Sequence, residues 1–385
     1  MHCAQPRPIY LDHNATTPIA PEVREAMLPY IGEAFGNPSS GYPLGRRAKD
    51  ALEEARADVA RLLGCKPQEI VFTSGGSEAN NMALKGRVDF RRPGAFHLVT
   101  TAVEHPAILN PALYLGELGA TITVLPVDGR GRVDPDAVRR ALRPGTGLIS
   151  VMLANNETGT LQPVAEIAAV AAEHGVPVHT DAAQAVGKIP VDVDSLGVAF
   201  LSVAGHKLYA PKGVGVLYIR EGLEITPLIH GAGQESGRRA GTENVLLAVG
   251  LGAACRLAAE TLAAERRRVE LLRDELQERL FAGIDGLVLN GDPSERLPNT
   301  LNVSVPGLQG GRILEALPNL MASTGAACHD RSIALSHVLS AMGIEPARGM
   351  GALRLSLGRS NTLDQIIEAA GLIIDQVKRM DHERL

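Results

Sequence analysis

A chain of 385 residues is too long for one compact core, so two domains are expected. Hydrophobic residues make up 45% and charged residues 21%, the balance of an ordinary soluble globular enzyme. The net charge of −5 gives no reason to expect a nucleic-acid or anionic-membrane partner, and no apolar run reads as approaching the ~20 residues of a membrane span. The opening MHCAQPRPIYLDHNATTP lacks a charged region followed by an apolar one, so it does not read as a secretory signal. The four cysteines, Cys3, Cys65, Cys255 and Cys328, are scattered without paired spacing. That argues against a disulfide framework or a structural metal site and for a reducing cytoplasm.

In chain order, Pro21–Ile31 and Leu44–Leu63 carry apolar residues at helical spacing, the second ending at Gly64. Short apolar runs follow at Glu69–Thr73, Phe96–Thr101, Thr121–Leu125, Leu148–Leu153, Val176–Thr180, Val198–Val203 and Val214–Ile219. Helical patterns such as Val164–His174 lie between several of them. Buried strands alternating with amphipathic helices predict an α/β fold with a mostly parallel sheet covered on both faces. From Asn244 to about Phe281 one long helical stretch connects this region to shorter strands at Leu287–Leu289, Thr300–Val305, Leu320–Ala322 and Ala352–Ser356, and to a helix at Leu363–Met380. The later part has α+β character and reads as a smaller domain completed by the N-terminal segment.

Five places carry chemistry. Lys207 stands beside His206 in a loop of small residues between two apolar strands; a lysine held away from water there can shed its proton and attack an aldehyde. Thr73-Ser74-Gly75-Gly76-Ser77-Glu78 turns a strand into a helix expected over Glu78–Lys85. Its N–H groups and the Ser77 hydroxyl would cradle a phosphate, the alternative being a plain helix cap. Asp181 ends a strand, where open α/β sheets bind ligands; it would pair with a cationic ring nitrogen, Gln184 reaching a ring oxygen, or it would simply cap a helix. His105, just past another strand end, would lie over an aromatic cofactor or be a satisfied structural histidine.

The fifth place is Cys328, which follows a run of small residues and precedes His329, Asp330 and Arg331; it is either an activated thiol or an inert one. Cys65 and Cys255 sit in apolar helical contexts and read as packing residues. Arg354 interrupts an apolar strand and needs an anion, from a substrate carboxylate or from an internal ion pair.

Lysine, aspartate, histidine and phosphate turn together resemble the pyridoxal-phosphate enzymes of the aspartate-aminotransferase fold. The segments YLDHNATTP, GNPSS, FTSGGSEANN, EH, NNETG, HTDAAQ, GHK, GTEN, RLPNTLN, GAAC and RLSLGR narrow the resemblance to the cysteine desulfurase and selenocysteine lyase family, from Ile9 to Met380. The resemblance implies a large cofactor domain at 15–255 and a small one at 256–385, the latter joined by 1–14 and carrying the cysteine loop. It implies that Lys207 holds pyridoxal 5'-phosphate covalently, His105 stacks on its ring, Asp181 pairs with its nitrogen and Gln184 bonds its phenolic oxygen.

In the same way Gly76, Ser77 and His206 would bind the phosphate, with Thr242 supplied by the other subunit of a homodimer. Asn156 and Arg354 would hold the carboxylate of L-cysteine or L-selenocysteine. Cys328 would take the sulfur and pass it to an acceptor or iron–sulfur scaffold protein. Lys207 and His105 would carry protons. Ala204, where the family usually has serine, is expected to cost a phosphate hydrogen bond. It also makes the chain look closer to selenocysteine lyases, whereas the length from Cys328 to Leu339 matches bacterial desulfurases; a non-catalytic scaffold of the same fold is the remaining alternative.

Overall fold

The structure is a computed structural model. It describes residues 8–382 apart from 325, 330 and 331, and of 326–329 and 332–334 the main chain only. Its centre is a seven-stranded sheet in the spatial order Ile70–Thr73, Gly215–Ile219, Phe200–Ala204, Val178–Asp181, Thr146–Ser150, His97–Thr101, Thr121–Leu125. Gly215–Ile219 runs antiparallel to both of its neighbours, and the other pairings are parallel. The inner strands are buried along their whole length because helices cover both faces, whereas the edge strand Thr121–Leu125 is largely open to solvent.

Two histidines brace this sheet from within. His179 reaches Ser150 Oγ and Ser202 Oγ on its two flanking strands, both at 2.9 Å. His97 does the same with Thr146 Oγ1 at 2.9 Å and Thr123 Oγ1 at 2.8 Å. Burial pushes both rings down to about 4, so both are neutral struts at physiological pH.

The helix Val245–Gly283 has 39 residues and would span roughly 58 Å. Its first part packs Ala248, Leu251 and Ala254 into the core under the large sheet, and its second part packs Val269, Leu272 and Leu276 into a separate core. Contrary to the sequence reading, part of this helix is apolar and long enough to cross a membrane; half of that stretch is buried inside the protein, against Pro21–Ile31 and Pro43–Leu63. The second core lies on an antiparallel sheet of Ser323–Thr324, Ala352–Ser356, Thr300–Ser304 and Val288–Leu289. Ile9 and Leu11 belong to it, and Ile9–Tyr10 pairs in parallel with Leu320–Met321. The N-terminal chain therefore crosses this second layer before it reaches the end of the large sheet.

Several element edges differ from the sequence reading. Strand pairing ends at Ser150 instead of Leu153, although Val151 and Leu153 still donate to His179 and Asp181 carbonyls. The helix after the glycine turn begins at Gly76, two residues earlier than expected, because Gly75 adopts φ 149° and frees the chain to turn there. Cys65 lies just beyond its helix, after Gly64 in the left-handed conformation.

Candidate active site

The C-terminal ends of the parallel strands open into a cavity of about 430 Å³, in the range of a cofactor or small-ligand site. Lys207, Asp181, Gln184, His105, His206, Gly76, Ser77, Asn156 and Arg354 all line it. Segments far apart in sequence are thus brought to one place by the sheet.

Lys207 closes a short 3-10 turn, Gly205–Lys207, directly after the strand Phe200–Ala204. Its Nζ donates to the main-chain oxygens of Asn14 at 2.6 Å and Ala15 at 2.7 Å. Burial first, and then the nearby Arg354 charge, push the amine down to about 8. The loop behind it is held by the N-terminal segment: Tyr209, at φ 67°, donates its N–H to Thr17 Oγ1 at 2.8 Å, and His206 O accepts from Thr17 N at 2.9 Å. A side chain in the left-handed region is costly, so those bonds fix the lysine's approach.

Asp181 is the last residue of its strand and is 7% exposed. Its two oxygens accept from Asn80 Nδ2 at 2.7 Å and Ala183 N at 3.0 Å. No helix starts here; turns follow, so the helix-cap reading is replaced by a carboxylate facing the cavity with two neutral partners. Such a group favours a cation in the cavity. The cap reading of Ser77 is also set aside, since Gly75 occupies the cap position and Ser77 lies in the first helical turn. The first-turn N–H groups of this helix have no intrahelical acceptors, as an anion site requires.

His105 accepts from Ala107 N through Nδ1 at 3.0 Å, which leaves the proton of the neutral ring on Nε2. Burial outweighs the neighbouring Asp181 and holds this imidazole below its usual range. His206 meets Thr16 Oγ1 through Nδ1 at 3.1 Å and is pushed down to about 4 by burial and by Lys207. Gln184 donates to Asn14 O at 2.9 Å. Arg354 donates to Asp12 Oδ1 at 2.7 Å and to Asn156 O at 3.3 Å, so the internal ion pair foreseen as an alternative is present while the guanidinium still borders the cavity.

Two expected participants stand apart. Thr242 is exposed and lines a separate hollow with Ser74 and Arg239, outside the lysine cavity of its own chain. The main chain at Cys328 lies in the strand Ala326–His329, paired with Ser332–Leu335, but its side chain lies outside the described residues. The other two described thiols are unsuited to nucleophilic work: burial pushes Cys65 up to about 12 and also raises Cys255.

The sequence reading missed the floor of the site. Asn14 binds Lys207, Gln184, Lys188, Asn156 O, Asn299 and Thr300 Oγ1 at once. Glu104 sits fully buried beside His105, with Oε1 accepting from Thr101 Oγ1 and Met152 N, both at 2.8 Å. Just past the strand Ser332–Leu335, Ser336 donates to Glu157 Oε2 at 2.5 Å and His337 Nε2 lies 2.9 Å from Glu104 O. These contacts root the cysteine-bearing segment on the cavity floor.

Residues 9–368 match the model of the aminotransferase class-V family. The chain belongs to that family. It is similar to the cysteine desulfurase IscS of Dictyoglomus turgidum, with 48% identity over 94% of this chain and 92% of that one. Among solved structures it is similar to a NifS-like protein at 36% identity and TM-score 0.90, covering 96% of this chain and 99% of the other. It is also similar to SspA in complex with cysteine, at 38% identity and TM-score 0.81, covering 90% of this chain and 98% of that one. Within the class-V family the chain belongs with the cysteine desulfurases, which depend on pyridoxal phosphate. The cavity fits that cofactor by its donor set: a lysine of lowered basicity, a helix start for a phosphate and a buried carboxylate lacking a cationic partner at hydrogen-bond distance.

Proposed function

We propose that this protein removes sulfur from L-cysteine, leaving L-alanine, and carries the sulfur as a persulfide on Cys328 to an acceptor or iron–sulfur scaffold protein. The observation that carries the reading is the convergence of Lys207, Asp181, His105 and Arg354 on one cavity. The SspA complex with cysteine supports that amino acid as the substrate.

When bound, pyridoxal phosphate supplies an aldehyde that condenses with amines and a ring that withdraws electrons from the substrate Cα. Gly76, Ser77 and His206 hold its phosphate, Asp181 faces its ring nitrogen, Gln184 its phenolic oxygen, and His105 covers its face. Arg354 and Asn156 orient the substrate carboxylate. Lys207 and His105 hold or move the α-proton, both lowered enough to exchange protons near neutrality. The Cys328 thiolate then attacks the substrate sulfur; an S–S bond forms, the C–S bond breaks, and its electron pair remains on the alanine carbon to be protonated.

The reading includes a homodimer in a reducing cytoplasm, with domains 15–255 and 256–385 plus 1–14. Phe35 and Ile31 are 73% and 67% exposed, and Ile19, Leu28, Tyr42 and Leu44 lie exposed on the same N-terminal stretch. A patch of that kind marks an interaction surface. Val245, three residues from Thr242, packs beside this patch on Ala48 and Ala51, which supports Thr242 serving the partner's phosphate site. The two separate hydrophobic cores support the domain division.

Steady-state kinetics with L-cysteine and L-selenocysteine test the substrate. Persulfide-dependent turnover of cysteine is expected. Turnover of selenocysteine alone would instead assign a selenocysteine lyase.

A further inference from the structure

A second buried amine stands behind the cofactor wall. Lys188 Nζ lies 2.5 Å from Gln184 Oε1 and 3.2 Å from Asn14 Oδ1. Both partners also face the lysine cavity: Gln184 lines it, and Asn14 O receives Lys207 Nζ and Gln184 Nε2. Lys188 itself does not line that cavity; its stem borders a small hollow of about 50 Å³ on the far side, next to Gly187, Tyr209 and Asn299.

We infer that Lys188 is a positioning residue that fixes which end of the Gln184 amide faces the cofactor. A lysine amine can only donate to an amide oxygen, so Oε1 must turn toward Lys188 and Nε2 toward Asn14 O and the cavity. The far side of Asn14 is locked in the same sense, its Nδ2 donating to Thr300 Oγ1 at 2.8 Å and its Oδ1 accepting from Asn299 at 3.0 Å. Burial and the charges of Lys207 and Arg354 hold Lys188 well below its ordinary basicity. The orientation survives loss of its charge, because a neutral amine still offers two N–H donors to these two oxygens. The cavity therefore receives an N–H donor from Gln184, suited to an anionic ring oxygen, and never the repelling carbonyl.

This inference rests on the cofactor reading given above. It is tested by binding of pyridoxal phosphate to apoprotein of the wild type, Lys188→Met, Gln184→Ala and the double variant, with the visible absorption maximum recorded in each. Loss of one hydrogen bond to a charged oxygen weakens binding by about tenfold. That loss and a shifted absorption maximum are expected in each single variant, and the double variant should bind no more weakly than Gln184→Ala alone. Lys188→Arg, another donor with the hollow to grow into, should restore both readouts.

Wild-type affinity in Lys188→Met, or losses that add in the double variant, would overturn the inference while leaving the cofactor site intact. A wild type that takes up no cofactor would overturn both. Should Lys188→Met not fold, Gln184→Glu replaces it: this variant keeps the contact to Lys188 but offers no donor. It is expected to fold and to bind cofactor about tenfold more weakly, and unchanged affinity would refute the role.

Discussion

Lys207 Nζ donates to the carbonyl oxygen of Asn14 across 193 residues of sequence, at 2.6 Å. The nucleophile of the large sheet is therefore seated on a strand-like N-terminal segment that has first crossed the second sheet. Two carbonyl acceptors stabilise the charged amine, yet burial and Arg354 outweigh them and bring it to about 8.

Capture of an aldehyde needs the unprotonated amine. Because the pKa of Lys207 is lowered from 10.5 to about 8, the rate of cofactor uptake by apoprotein should rise with pH and level off above about 8. Below that point it should climb about tenfold per pH unit. Stopped-flow absorbance measures it; a rate still climbing at pH 10 would contradict the lowered pKa.

Ala204 lines the cavity, and a Cβ placed on Gly76 would lie 3.2 Å from the Ala204 methyl. A hydroxyl there points at the phosphate end of the site. Ala204→Ser should tighten cofactor binding by about tenfold, the worth of one hydrogen bond to a charged group. Equilibrium dialysis of apoprotein checks this, and an unchanged Kd would place the hydroxyl elsewhere.

Glu104 is fully buried, one of its oxygens has no partner, and burial pushes its carboxyl up to about 8. The folded state then binds a proton that the unfolded state has released between the ordinary 4.5 and about 8. Stability is full below the lower value and falls by about 1.4 kcal/mol per pH unit as pH rises through this window. Glu104→Gln mimics the protonated form and should flatten that slope, melting higher than wild type at pH 8 and close to it at pH 4.5. Parallel melting curves across the window would show that Glu104 is not the titrating group.

Replacing Cys328 with alanine should leave cofactor uptake and its visible colour in place. Sulfide release from cysteine should drop on the order of a thousandfold, because the nucleophile for the substrate sulfur is gone. Sulfide trapped from reaction mixtures with a thiol reductant gives the answer, and undiminished release would remove Cys328 from the reaction.

Residues at strand ends were legible in the sequence because position along an apolar run dictates where they emerge. Lys207, Asp181 and His105 each follow such a run, and all three line one cavity. Asn14, Asp12 and Lys188 were not legible as site residues. Their roles come from contacts such as Asp12 with Arg354, 342 residues apart, which no local pattern encodes. YLDHNATTP marked the N-terminal segment as part of a family pattern without saying that its main-chain oxygens would face the lysine. The capping roles considered for Ser77 and Asp181 failed for a local reason: Gly75 takes the cap, and after Asp181 the chain turns instead of coiling.

Reducing the cofactor-loaded protein with borohydride, digesting it and mapping the peptides by mass tests the central claim most directly. The phosphopyridoxyl mass should appear on the peptide containing Lys207. Its appearance on the Lys188 peptide, or on none with cofactor in excess, would contradict the assignment of the nucleophile and the sulfur chemistry built on it.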